Sequence, residues 1–311
     1  MAIVVVKPGM LTTVQDAGRW GFQARGVPVA GPMDPVSFRL ANAIVGNRRD
    51  ASALEVTLLG PELIFEDARA IAVTGAEFDV TVDDVDVPLN TRVTLSGGSR
   101  LRFGRRRRGA RAYLAVEGGI SVPPRLGSRA THVVSGMGGF EGRALRSGDT
   151  LPLGSRVPAA QAPAGPGCSV VPLPGAHALV RVLPGPQLEL FAPDALDALR
   201  SSPYTIAQNS DRMGFRLEGP RLTHAGSPDI ISDATPLGVL QVPASGQPIL
   251  LMADRQTTGG YPKIATVITA DLAIAGQLVP GDKISFEVCT PREAIAALIA
   301  QEQALQRVEG L

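Results

Sequence analysis

The densest run of chemically capable side chains is Ala253-Asp254-Arg255-Gln256-Thr257-Thr258-Gly259-Gly260-Tyr261-Pro262-Lys263. It holds a carboxylate, a guanidinium, an amide, hydroxyls and an ammonium, and it follows the apolar run Pro248-Ile249-Leu250-Leu251-Met252. Polar groups on a loop leaving a strand are placed to converge on a ligand. Asp254, Arg255 and Lys263 are the candidate catalytic residues. Arg suits bidentate binding of a carboxylate, Lys supplies a point charge, and Asp254 either orients Arg255 or serves as general base. Gln256, Thr258, Gly259, Gly260 and Tyr261 are candidate substrate contacts, with the two glycines letting the backbone close on a ligand. The same composition also fits a hydrophilic hairpin with a Gly-Gly turn and a surface ion pair.

Three further segments carry polar or charged groups. Asn209-Ser210-Asp211-Arg212-Met213-Gly214 offers Asp211 and Arg212 as supporting substrate contacts, although adjacent Asp and Arg often only pair with each other or cap a turn. Gly31-Pro32-Met33-Asp34-Pro35 reads as a tight turn feeding a capped helix, whose free N–H groups suit an anion or simply an N-cap. Gly104-Arg105-Arg106-Arg107-Arg108-Gly109 lies between two strand-like runs and reads as a solvated hairpin tip.

Several chemistries find no support. There is no Gly-x-x-x-x-Gly-Lys-Ser/Thr, no Gly-x-Ser-x-Gly, and no dinucleotide fingerprint after a strand. His132, His177 and His224 lack ligand-like spacing, so no metal site is expected. Cys168 and Cys289 form no repeating pattern, which argues against a disulfide framework. A formal net charge of +1 supplies no field for nucleic acid or anionic lipid. The apolar start Ala2-Ile3-Val4-Val5-Val6 is too short for a signal-peptide core, and no run approaches the roughly 18 to 20 apolar residues that cross a bilayer. A cytoplasmic location is the expectation.

The elements that must position these residues are mostly strands. With 35 Gly, 26 Pro and only 4% aromatic residues, short strands joined by tight turns are expected rather than a helical bundle. Phe78-Asp79-Val80-Thr81-Val82 alternates with period two, and Arg111–Val116 and Pro248–Ala253 read as buried strands. Three helices are predicted. Pro35–Val45 has Asp34 as N-cap and Gly46 past its end, Pro193–Arg200 is short, and one from Pro291 to about Gln306 opens on a Thr290/Glu293 capping box.

Short matches recur in order. Val4-x-Val6-x-Pro8-Gly9 is echoed by Val180-x-Val182-x-Pro184-Gly185, Gly60-Pro61 by Gly219-Pro220, and Gly148-Asp149 by Gly281-Asp282. Asp16 to Phe22 is echoed by Asp211 to Phe215. The expectation is a mainly β chain of two barrel-like halves related by duplication: a first domain at 1–160, a Pro/Ala/Gly-rich linker at 161–175, and a second domain with a C-terminal helix at 176–311.

Thr13-Val14-Gln15-Asp16-Ala17-Gly18-Arg19, Gly31-Pro32-Met33-Asp34, Ser37-Phe38-Arg39-Leu40-Ala41-Asn42, Ser210-Asp211-Arg212-Met213-Gly214-Phe215-Arg216-Leu217 and the Ala253–Ile264 run resemble the biotin-dependent carboxyltransferase, or allophanate hydrolase subunit 2, family. The resemblance runs from about residue 7 to 290. It implies two cyclophilin-like β-barrel domains and one of three roles. The first is the C subunit of a bacterial ATP-dependent 5-oxoprolinase that acts with A and B subunits on a small lactam. The second is half of the carboxyltransferase domain of a urea carboxylase. The third is a regulator that binds a sister protein inhibiting a histidine kinase. The sequence has no biotin-carboxylase segment and no Ala-Met-Lys-Met-type site, so no biotin is expected on this chain. That favours the first role, with ATP used at the assembled complex. Ala234 stands where the family pattern has glycine after Asp233, which bears on the choice of substrate.

Overall fold

The computed structural model describes residues 1–156 and 170–310. The linker expected at 161–175 lies largely outside the described residues, and so does Cys168. The chain divides into two compact units, Met1–Arg19 with Ala30–Leu173 and Gln301–Leu311, and Trp20–Val29 with Pro174–Ala300. Both are mainly β, as the patterning requires.

In the first unit, the described residues form a nine-stranded antiparallel sheet. Its main path runs Leu11–Gln15, Ala53–Thr57, Arg100–Val116, Glu62–Phe65, Ala2–Lys7, Thr150–Pro152. The long strand Arg69–Val82 pairs with Arg100–Val116 along most of its length. The run Arg111–Val116 is apolar without alternation because both its faces are covered. Ala112, Leu114 and Val116 join the sheet core with Ile3, Val14 and Phe65. Tyr113 and Ala115 pack instead against Phe38, Ala41 and Ile44 of the helix Pro35–Val45. Asp34 caps that helix by accepting from the Val36 and Ser37 N–H groups, and Gly46 closes it in the left-handed region at φ 77°. The Met33 N–H donates to buried Glu55, and the Asp34 N–H to Tyr113 Oη, which itself donates to Glu55. The helix start is thus a cap locked into a buried network.

The arginine run departs from expectation. Gly104–Gly109 is no hairpin tip but the middle of the seventeen-residue strand Arg100–Val116. Register shifts between Gly75 and Val80 on the partner strand absorb the mismatch, so pairing continues past the charges. Arg107 meets Asp79 at 2.6 Å and Arg108 meets Glu77 at 3.2 Å on that neighbouring strand. Cross-strand carboxylates, not a turn, solvate and neutralise these arginines.

The second unit holds a closed seven-stranded barrel. Its strands, in order around the barrel, are His177–Pro184, Lys263–Val267, Val239–Gln241, Ile249–Leu251, Gly214–Glu218, Tyr204–Ile206 and Lys283–Val288. Each Gly-Asp pair noted in the sequence leads into a strand beside the opening strand of its half. The sense differs: Thr150–Pro152 runs antiparallel to Ala2–Lys7, and Lys283–Val288 parallel to His177–Pro184.

The short predicted helix starts two residues late, at Ala195–Ser201, with Asp194 at the N-cap position but making no side-chain cap bond. The C-terminal helix spans Pro291–Glu309, and its capping box forms as read, with Thr290 and Glu293 bonding reciprocally. It runs three residues beyond the expected end because Arg39 holds both Glu302 and Glu309, one face of the helix, and Val308 packs with Phe38 and Ile44. Among the described residues, no helix is long and apolar enough to cross a membrane.

Candidate functional site

The strand Ile249–Leu251 feeds a turn that is pinned to the entry of its barrel neighbour, Gly214–Glu218. The Met252 and Asp254 N–H groups donate to the Met213 and Arg212 carbonyls, at 2.9 and 2.8 Å. This brings together two segments about forty residues apart, and their side chains follow. Arg212 Nε and Nη2 each donate to an oxygen of Asp254 at 2.9 Å, with both side chains buried. The ion pair is therefore Arg212–Asp254, and neither Asp254–Arg255 nor Asp211–Arg212. Asp211 instead turns its Oδ1 to the Met213 and Gly214 N–H groups, as an Asx turn.

Arg255 is buried at 8% exposure, so the segment is no surface hairpin. Its Nε donates to the Thr235 carbonyl at 2.8 Å, and among the described residues it has no carboxylate partner. Burial pulls its guanidinium below the ordinary pKa. Beyond it, Thr258–Gly259 pairs with Asp233–Ala234 in a two-stranded ladder. A Cβ at Gly259 would lie 2.6 Å from Gln241 Nε2, so a side chain there would displace the Gln241 amide. Gln241, itself fully buried, accepts from Gln256 Nε2 at 3.2 Å and donates to the Tyr261 carbonyl at 3.4 Å. Thr235 Oγ1 donates to the Gln256 carbonyl. Lys263 Nζ, buried to 1% exposure, reaches Asp233 Oδ2 at 2.7 Å, while its backbone N–H donates to Gln187.

Beside these groups lies a cleft of about 250 Å³. Of the residues singled out in the sequence, Asp211, Gln256 and Tyr261 line it directly. Arg212, Asp254, Arg255 and Lys263 are buried and do not line it, and Thr258 and Gly259 form the adjoining ladder with Gly260 just beyond. Sequence reasoning placed Asn209 in a candidate segment without giving it a role, and singled out neither Arg216 nor Gln241, which line the cleft with it, nor Asp233, which pairs with Lys263. Gln241 left one available signal: an amide inside the otherwise apolar run Val239-Leu240-Gln241-Val242. Among the described residues, no group of His, Cys, Asp and Glu is placed to hold a metal ion.

Lys263 holds the Asp233 carboxyl below its ordinary pKa. A depressed carboxyl contributes stability above its unfolded pKa, and loses it as pH falls through the folded value. Thermal stability is therefore expected to drop more steeply below about pH 4 in the native chain than in Asp233→Asn. Calorimetric scans between neutral and acidic pH check this, and parallel curves would show that the pair contributes nothing.

The sequence matches the carboxyltransferase domain, subdomain A and B, over residues 25–288. The chain belongs to this carboxyltransferase family. It is 40% identical to the 5-oxoprolinase C subunit of Escherichia coli (strain K12), over 98% of this chain and 96% of that protein. It is 35% identical to the urea amidolyase of Lachancea kluyveri, over 99% of this chain but only 18% of that protein. The crystal structure of the K. lactis urea amidolyase superposes with a TM-score of 0.91 at 33% identity, covering 99% of this chain and 20% of that one.

Proposed function

We propose that this chain is the C subunit of an ATP-dependent 5-oxoprolinase, which with A and B subunits converts 5-oxo-L-proline, ATP and water to L-glutamate, ADP and phosphate. The observation that carries the reading is the 40% identity to a 5-oxoprolinase C subunit along nearly the whole of both chains. The urea amidolyases, at 35%, match through less than a fifth of their length.

The site chemistry supports an amide or lactam substrate. A lactam is resonance-stabilised, so opening it calls for activation. The lactam oxygen takes the γ-phosphoryl group of ATP as the bond to ADP breaks. Water then adds to the activated carbon and the ring C–N bond opens as nitrogen gains a proton, which leaves an acyl phosphate whose phosphate a second water displaces to give the carboxylate. These steps gather negative charge on oxygens, which nearby fixed cations stabilise. Arg255, lacking a carboxylate partner, and Lys263 are the cations proposed for that role, and the amides of Gln241 and Gln256 match the hydrogen-bonding edge of a lactam. Asp254 has both oxygens engaged by Arg212, which suits positioning better than proton transfer.

The test is ATP hydrolysis by the purified chain, alone and with its A and B partners, comparing 5-oxo-L-proline with urea. The chain alone is expected to hydrolyse no ATP above background, and the complex to respond to 5-oxo-L-proline. Turnover by the isolated chain would contradict the need for partners. Stimulation by urea alone would replace this reading with a urea-directed carboxyltransferase, which the likeness to urea amidolyases would then explain.

A further inference from the structure

The wall of the cleft is ordered by strand register. Gln241 pairs with Ile249, and Ile249 with Arg216, so three neighbouring strands present an amide, an apolar group and a guanidinium in one row. The adjacent row is Leu251 opposite Gly214, where a Cβ would lie 3.2 Å from Ile249 Cγ2, so glycine keeps the two apolar side chains at the cleft wall. Residues one position away, Leu240, Leu250 and Phe215, are buried and fill the barrel, so this row faces outward into the cleft. Strands lie about 4.8 Å apart, which places the backbone of Gln241 and Arg216 roughly 10 Å from each other across Ile249.

Arg216 differs from the other cations of the site. Arg212 is bound to Asp254 and Lys263 to Asp233, and Arg255 is buried against the Thr235 carbonyl. Arg216 is exposed, lines the cleft, and its guanidinium makes no hydrogen bond or ion pair among the described residues. Asp211 lines the same cleft, yet its Oδ1 is occupied by two backbone N–H groups of its own turn. The row thus runs from hydrogen-bonding amide, across an apolar step, to an uncommitted cation.

We propose that Arg216 anchors the carboxylate of the substrate, with the ring methylenes over Ile249 and Leu251 and the lactam edge toward Gln241 and Gln256. This assignment rests on the reading of the chain as part of a 5-oxoprolinase, and it orients the substrate within the cleft. A guanidinium at a site partly open to water still favours a carboxylate through paired charge-assisted bonds.

The experiment uses the assembled complex and compares 5-oxo-L-proline with its uncharged carboxamide. Arg216→Gln is expected to raise KM for 5-oxo-L-proline by about tenfold to a hundredfold, the usual range for losing a hydrogen bond to a charged group, with kcat changed far less. Arg216→Lys should recover part of the loss. The native complex should prefer the acid over the carboxamide in kcat/KM, and Arg216→Gln should abolish that preference. Because Arg216 is exposed, the variant is expected to fold, and circular dichroism checks this. An unchanged KM, or a preference for the acid that survives Arg216→Gln, overturns the anchor while leaving the 5-oxoprolinase reading in place. A native complex that does not turn over 5-oxo-L-proline overturns both.

Discussion

Arg255→Ala is expected to lower turnover of the assembled enzyme by about tenfold or more, because Arg255 does not line the cleft and acts on developing negative charge from behind its wall. The expectation follows from the charge count around the site. Arg212 and Lys263 each have a carboxylate, whereas Arg255 is buried beside them with backbone carbonyls as acceptors. A buried cation without a counter-ion is costly unless a ligand or transition state supplies the negative charge. Its depressed pKa, caused by burial, expresses the same cost. The Nε bond to Thr235 ties Arg255 to the Asp233–Ala234 ladder, so truncation also removes a structural contact. Arg255→Lys separates the two contributions: it keeps the charge, cannot reproduce the planar donor set, and should regain part of the activity with native assembly on size exclusion. Activity of Arg255→Ala within about twofold of the native enzyme would remove this residue from the site.

Asp254→Ala is expected to destabilise the second unit by about 3–5 kcal/mol, because removing one partner of a buried, bidentate pair strands the other charge. Exposure of the two side chains is only 7% and 4%, so water cannot stand in for the lost carboxylate. A denaturant titration would show the midpoint falling with little change in slope. The double replacement Arg212→Met with Asp254→Leu should be markedly more stable than Asp254→Leu alone, since no charge is left unpaired. Equal stabilities for the single and double variants would show that the pair does not carry the turn. Asp254 would then be open again to the proton-transfer role weighed from the sequence.

What could be read in advance divides by the distance over which each signal acts. Asp34 and Gly46 at the ends of one helix, and the Thr290/Glu293 box at the start of another, act within a turn or two, and they form as read. The mainly β character, with barrel-like units, followed from local alternation and turn composition. The arginine run was misread because Gly104 and Gly109 look like punctuation, while pairing with Arg69–Val82 and its register shifts lies outside that window. Within the site, the segment Asp254–Lys263 stood out by composition. The partners that define its electrostatics did not: Arg212 is 42 residues from Asp254, and Asp233 is 30 from Lys263. Arg216 and Gln241 were hidden for a related reason, since only the register of three strands places them in one row.

The two units also differ in how they treat sheet edges. The seven-stranded barrel closes on itself, so none of its strands offers an unpaired ladder to another molecule. The nine-stranded sheet is open, with Leu11–Gln15 and Thr150–Pro152 at the ends of its main path. The first is shielded by its own chain, because the Thr131 and Leu145 N–H groups occupy the Val14 and Thr12 carbonyls. The second is only three residues long and includes Pro152, which has no N–H to donate. At both ends of that path little unpaired ladder is left to template aggregation.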